Sequence, residues 1–366
     1  VEDNTLLELI KAMEEDDKIG IAGSRVVDAE KKDITVEAGA FFRLDTIGVK
    51  PLFRNKKNID IMTTIEDVDY VAICSALVRV SALKEVGLMD QRFFIFWDDM
   101  DWGLQFKKNG YRVVAILNSI AYHLAFTEKR SALMDFYYGN RNSLLTYAKD
   151  FAYLRRAIIF YSFLRYKCKV LTFLGLNGRR DVMKLGFESI FDFIRGRWGK
   201  KDLRNISKDE ESKSCNFPEK TSKVLILNGG NTNEIYDALG ILKKLFPNAA
   251  YTLLMTDDRL DMFNFRFDQI VQINTKSQYN LSYLLFIFFK VLSNKYDVAV
   301  NFKYASPFSY AVNRAYTFDP SKKQFREDKS NLNNIWKLIL STALGEVIAM
   351  LLFPIVYALS FKHGKA

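Results

Sequence analysis

Phe93-Phe94-Ile95-Phe96-Trp97 runs directly into Asp98-Asp99-Met100-Asp101-Trp102-Gly103-Leu104. Three carboxylates within four positions repel one another, while the apolar residues on both sides pull the same stretch toward a core. A fold can hold such a stretch only if it buries the flanks and supplies the acids with something to bind or relay, such as a metal, a sugar hydroxyl or a proton. The bland alternative is an acidic helix start, where Asp side chains cap free N–H groups and suit the helix dipole. These residues alone leave both readings open.

The surroundings narrow the choice. Val71-Ala72-Ile73-Cys74-Ser75-Ala76-Leu77-Val78-Arg79-Val80 has the pattern of a buried strand. A short helix at Ala82–Val86 follows, closed by Gly87 and leading into Leu88-Met89-Asp90. After the carboxylates, a helix running to Gly110 precedes a β-branched strand, Arg112-Val113-Val114-Ala115-Ile116, and then Ala121-Tyr122-His123. This ordered set resembles the second half of family-2 glycosyltransferases of the GT-A fold. There a strand, a Gly-Leu-Phe-Asp-like turn, a Glu-Asp-x-Asp cluster, a helix and a Gly-Tyr strand start follow in the same order. The spelling Trp97-Asp98-Asp99-Met100-Asp101 with Gly103-Leu104 and the later His123 is most similar to the galactofuranosyl- and rhamnosyltransferase branch.

The resemblance implies an inverting transfer and gives the residues roles. Asp99 matches the general base that takes the acceptor hydroxyl's proton. Asp98 matches the acid that contacts the acceptor sugar, with Trp97 and Asp101 beside it; for Asp101, capping of the following helix competes with a direct role. His123 is one of two histidines in 366 residues, the other being His363. A lone histidine near a strand end is more often structural, but the resemblance makes His123 a ligand of a divalent metal, manganese or magnesium. The metal would offset charge on the departing diphosphate. Phe136-Tyr137-Tyr138-Gly139-Asn140-Arg141-Asn142 resembles an element that follows the histidine in the same enzymes. It makes Arg141 a candidate phosphate contact, with a surface salt bridge as the alternative.

At the front, a helix from Glu2 through Met13 and the strand Lys18–Gly23 resemble elements that in the family follow an Asp-x-Asp motif. No such motif precedes Val1. The expectation is a fragment of a longer protein, inactive by itself, with a degenerate remnant as the alternative.

Hydrophobic residues make up 49% and aromatic residues 14% of the chain, with only 6 prolines. Three scattered cysteines, Cys74, Cys168 and Cys215, argue for a reducing compartment. Positive charge is concentrated in residues 151–204, which hold thirteen Lys and Arg against four Asp and Glu. The same segment is apolar and aromatic around Leu154–Tyr166 and Val182–Trp198. It reads as amphipathic helices at an anionic membrane surface, the alternative being that they pack on the domain before them with basic side chains reaching outward. No recognition motif accompanies the charge, so nucleic acid is not an expected partner.

Residues 200–222 are polar and read as a linker. Beyond them strands and helices alternate: Lys223–Leu227, Glu234–Pro247, Tyr251–Met255, Gln269–Ile273, Leu281–Leu292 and Tyr296–Val300. Such alternation implies a parallel, Rossmann-like sheet. Residues 222–320 resemble, less closely, the first half of heptosyltransferase-type GT-B proteins. Gly229-Gly230 after the first strand lacks a dinucleotide fingerprint and reads as turn chemistry.

Residues 334–362 end the chain as an apolar helix long enough for a bilayer core of ~20 residues. Glu346 and Pro354 inside it favour a tilted or monotopic anchor over a simple span. The expected fold class is α/β: a partial GT-A domain at 1–150, amphipathic helices at 151–199, a linker at 200–222, a Rossmann-like accessory domain at 223–330 and a membrane-associated helix at 334–362. The expected function is transfer of a sugar from a nucleotide-diphosphate donor, UDP- or dTDP-linked, to a lipid-linked or polysaccharide acceptor at the cytoplasmic face of the cell membrane. The alternative is a catalytically silent membrane-docking scaffold.

Overall fold

The computed structural model describes residues 1–29, 32–43, 48–53, 64–123, 132–202, 217–227, 232–256, 267–273, 281–302, 308, 311–312, 314–319, 323–328 and 335–364. The chain is mixed α/β and divides into two units. The first comprises residues 1–168, 181–206 and 347–366; the second comprises 169–180 and 207–346.

The first unit opens with α1 (Thr5–Glu15) and β1 (Ile19–Asp28), followed by β2 (Thr35–Glu37), β3 (Ala40–Arg43), β4 (Gly48–Pro51), β5 (Ile65–Asp67) and β6 (Ala76–Val78). Then come α2 (Val80–Val86), α3 (Asp98–Lys108), β7 (Arg112–His123), α4 (Ala132–Asp150), α5 (Tyr153–Leu176) and α6 (Arg180–Arg195). Strand β1 is the axis of the sheet. It pairs with β7 in parallel along its length, and β2 and β6 share its other edge, both antiparallel. Strand β5 closes the far side of β7, antiparallel, while β3 and β4 form a separate hairpin.

Strand alternation sorts the two faces of β7. Val113, Ala115 and Leu117 join Val71, Ala82, Trp102 and Phe106 on one side, and Val114 and Ile116 join Leu9, Ala12 and Met13 of α1 on the other.

Residues 71–80, expected as a strand, are mostly something else: a 3-10 turn at Ile73–Ser75, three residues of β6, and then α2. The reason is a close crossing. A Cβ on Gly23 of β1 would lie 2.3 Å from the Val71 Cβ, so Val71 packs over the bare backbone of β1 where it passes it. Helix α2 ends at Gly87, whose φ of +89° suits glycine.

Helices α4, α5 and α6 place apolar side chains in the interior, among them Tyr138, Tyr147, Phe160 and Phe193. Tyr137 donates a 2.6 Å hydrogen bond from α4 to Asp192 of α6, and the Phe160 and Phe193 rings lie 5.9 Å apart. The helices of 151–199 therefore bury one face in protein.

The second unit holds β8 (Lys223–Leu227), α7 (Thr232–Leu245), β9 (Ala250–Thr256), β10 (Gln269–Ile273), α8 (Leu281–Ser293), β11 (Val298–Phe302), β12 (Arg314–Asp319) and β13 (Gln324–Asp328). The sheet order is β10-β9-β8-β11-β12-β13; every pair is parallel except the edge pair β12/β13. Apolar residues of α7 cover one face and those of α8 the other. Gly229-Gly230 and Cys215 lie outside the described residues, as does most of the expected linker. The chain ends in α9 (Ile335–His363).

Candidate functional site

Asp98, Asp99 and Asp101 occupy the first turn of α3. The approach to that turn is unusual, because Phe94, Phe96 and Trp97 all have φ between +64° and +68°. Left-handed backbone is costly for residues with a Cβ, about 1–3 kcal/mol each, and persists only when the surroundings hold it. Here α4 does so. The Asn142 amide nitrogen donates to the carbonyls of Phe93, Ile95 and Phe96 at 2.8–2.9 Å. The Arg141 guanidinium donates to the carbonyls of Arg92, Phe93 and Gly199 at 2.9–3.2 Å and to the Asn142 side chain at 3.0 Å.

This is where the structure places Arg141, the expected phosphate contact. Its side chain is 1% exposed and its donors are committed to main-chain carbonyls, so it holds the loop and has none to offer a diphosphate. Nor is it a surface salt bridge.

From the other side, Gly103 lets α3 press on the chain at 69–70: a Cβ there would lie 2.2 Å from the Asp69 carbonyl oxygen. The Trp97 ring meets Tyr147 edge-on at 5.6 Å and Phe42 at 6.5 Å, and remains partly exposed.

The three acids then part company. Asp99 accepts a 2.9 Å hydrogen bond from the Met100 N–H. Loss of solvent, followed by the nearby charges of Asp98 and Glu37, pushes its pKa up to about 7. Asp101 turns to a different set. It is 2% exposed, and its Oδ2 lies 2.7 Å from Lys149 Nζ, which also lies 2.9 Å from Asp90. Burial raises its pKa against the pull of Lys149. Asp101 thus sits in an internal ion network with Asp90, Lys149, Lys108 and Asp150, which leaves it no surface for an acceptor sugar.

Glu37 has no mark in the sequence. It lies on β2, sixty positions before the cluster, and nothing in its local pattern sets it apart. Sheet register explains its place. Glu37 pairs with Val26 of β1, Val26 with Ala121 of β7, and two residues on Asp28 pairs with His123. Glu37 and His123 therefore stand at the C-terminal end of the parallel pair β1/β7, the edge where open α/β sheets hold ligands. Asp99 faces Glu37 electrostatically from the start of α3.

His123 has a buried Nδ1 with no hydrogen-bond partner, which is compatible with a ligand role. It is one donor only. Among the described residues no three His, Cys, Asp or Glu side chains are grouped to hold a metal ion, and one imidazole by itself does not fix one.

The arrangement pairs an acid poised near neutrality with a second carboxylate at the C-terminal end of β1 and β7 and with a partly exposed tryptophan. This suits abstraction of a hydroxyl proton from a polyol held against an aromatic face. Similarity to a protein of known activity points to the glycosyltransferases. That protein is the galactofuranosyltransferase GlfT2 of Mycobacterium tuberculosis, 29% identical over 99 residues, which are 27% of this chain and 15% of that protein. The chain thus matches a small part of that relative. No family model matches the chain.

Proposed function

We propose that the first unit is the acceptor-side part of an inverting glycosyltransferase of the GT-A class, in which Asp99 is the general base. The acceptor hydroxyl would give its proton to Asp99 as its oxygen bonds to the anomeric carbon of the donor. The bond from that carbon to the nucleotide diphosphate breaks in the same step. Asp98 and Trp97 would hold the acceptor sugar, the carboxylate accepting from hydroxyls and the indole covering an apolar ring face. The donor would be a UDP- or dTDP-linked sugar, galactofuranose or rhamnose, and the acceptor a lipid-linked or cell-surface glycan at the cytoplasmic face of the membrane. The second unit would be a Rossmann-like accessory or acceptor-binding module.

The observation that supports this reading is the environment of Asp99. A carboxylate with a pKa near 7 is a far better proton acceptor than one near 4, while still ionised above neutrality. In the complete protein, Asp99→Asn keeps size and hydrogen bonding but cannot take the proton. The expected result is a ~10²–10⁴-fold fall in turnover with donor affinity nearly unchanged, read from initial rates and donor titration. Near-parental turnover would remove Asp99 from the role.

A divalent cation belongs to the same reading, with His123 giving one nitrogen. The sign of its involvement is a rise, in His123→Ala, of the manganese or magnesium concentration needed for half-maximal rate. An unchanged metal titration returns His123 to a structural role.

A further inference from the structure

Helix α9 is built inside out for water. Its buried positions include Ser341, Gly345, Ala349, Val356 and Ser360, small or short residues at intervals of about one or two turns. Its exposed positions include Leu344, Val347, Met350, Leu351 and Ile355. Leu351 is 68% and Met350 55% exposed. On a helix whose most apolar 18-residue window, within Ile339–His363, has a mean hydropathy of 2.1, the large apolar groups face outward, while Ser341 and Ser360 are buried and the Thr172 hydroxyl donates to the Ser341 carbonyl at 2.8 Å. Helices in contact with lipid make this choice, because small residues allow close packing inside and nothing penalises Leu outside.

The one carboxylate in the apolar stretch is neutralised, with Glu346 2.5 Å from Lys169. Beside the exposed face, Ile348 and Leu352 join Met183, Phe187 and Phe191 of α6 in an open groove of about 390 Å³, with Lys184, Arg195 and Glu188 also lining it. Glu188 is paired with Lys201 at 2.5 Å, so the uncompensated charge at the groove is positive. Lys184 and Arg195 would stand where lipid phosphates lie when the apolar face is immersed.

We propose that the outward face of α9, with Lys184 and Arg195 beside it, is the surface by which this chain docks on a bilayer containing anionic lipid. The helix lies in the membrane plane and does not cross it. The in-plane orientation follows from what covers its other side. Helix α5 runs antiparallel to α9, with Tyr153 stacked on Phe361, Tyr161 against Phe353 and Lys169 beside Glu346. A spanning α9 would draw α5, with its exposed Arg165, to mid-bilayer, where such a residue costs at least ~2.5 kcal/mol. Lying flat, α9 immerses one face by ~5–10 Å and leaves α5 and α6 on the water side. The proposal does not depend on sugar transfer.

Flotation of the full chain with vesicles of phosphatidylcholine and phosphatidylglycerol tests it. The chain should float, and Met350→Glu/Leu351→Glu should lower the bound fraction at least tenfold with an unchanged circular-dichroism melt; Val347→Glu is the substitute if the double variant fails to fold. Lys184→Glu/Arg195→Glu should weaken binding to these vesicles and leave the smaller binding to pure phosphatidylcholine unchanged. Tryptophans introduced as Leu340→Trp and Ile355→Trp should both be quenched best by lipids doxyl-labelled near the headgroup; one shallow and one deep residue would overturn the in-plane orientation. Parental flotation of the glutamate variants would overturn the docking face. So would a full chain that dimerises in sedimentation and is made monomeric by Leu351→Glu, since a second copy would then be the occupant.

Discussion

Asp99 carries a charge that its surroundings resist. Burial comes first, then Asp98, then Glu37, and all three raise its pKa. The folded protein therefore holds a proton on Asp99 that the unfolded chain releases near pH 4, so this group's contribution to stability falls as pH rises from about 4 to about 7 and is level above that. Under the proposed function, activity would run the other way, because a general base at Asp99 works only when ionised. The rate of sugar transfer should rise with pH through an apparent pKa near 7. Glu37→Gln removes one like charge and should move that acid limb to lower pH, while Trp97 and Asp98 stay in place and acceptor KM changes little. A pH–rate profile that does not move would show that Glu37 does not act on Asp99. Asp101 belongs to a separate account, in which Lys149 bridges its Oδ2 and Asp90 together. Identical residue types two positions apart thus have different chemistry, because Lys149 of α4 faces Asp101 while the charges of Asp98 and Glu37 act on Asp99.

At the scale of elements, the loop before α3 and the packing of α3 itself set the position of the acids. Three left-handed residues in the loop are held by Asn142 and Arg141, and the helix is seated by Gly103 against the backbone at Asp69–Tyr70. Gly103→Ala introduces a methyl that meets a carbonyl oxygen at 2.2 Å, and main chain cannot yield as a flexible side chain would. The expected cost is about 1–3 kcal/mol of stability, measured by urea unfolding, with a fall in turnover because the first turn of α3 is displaced. Unchanged stability would mean that α3 can slide, and the close seat would have no part in placing Asp99. The Gly in Asp-Trp-Gly and the Arg-Asn pair on α4 thus act through geometry, by holding the loop and the helix that carry the acids.

For the whole molecule, α9 has two faces with different roles. Residues 347–364 belong to the first unit, and Ala349, Val356, Ser360 and His363 are buried there. Arg92 donates a 2.7 Å hydrogen bond to the His363 carbonyl, and the Gly364 position admits no Cβ because the Ala148 carbonyl lies 2.2 Å away. Removing everything from Val347 onward should therefore lower the melting temperature of the first unit, because it uncovers Tyr161 and the groove wall of α6. A detachable anchor would leave the melt unchanged and release the protein from vesicles. Surface charges on α9 separate docking from folding more cleanly than truncation does.

The sequence alone marked many of the stretches that make elements, though not β2–β5, β12 or β13, and it stopped the apolar run of α5 at Tyr166 where the helix continues to Leu176. Periodicity, glycine stops and acidic helix starts are local properties, and β1, α3, α5, α6, α7, β9, β10 and α9 all follow from them. It also marked the carboxylate cluster, because three acids among aromatics are conspicuous without any knowledge of the fold. Residues 71–80 read as a strand because Val, Ile and Leu satisfy a strand and a tight crossing equally well, and only the bare backbone at Gly23 decides between them. Glu37 was invisible because its meaning comes from pairing across β1 to β7. Arg141 read as a phosphate contact because a guanidinium suits phosphate and carbonyl alike, and only the buried loop shows which it serves. Tertiary structure decided these cases for one physical reason: a side chain's chemistry is set by the charges, carbonyls and solvent around it, and those come from residues far away in the chain.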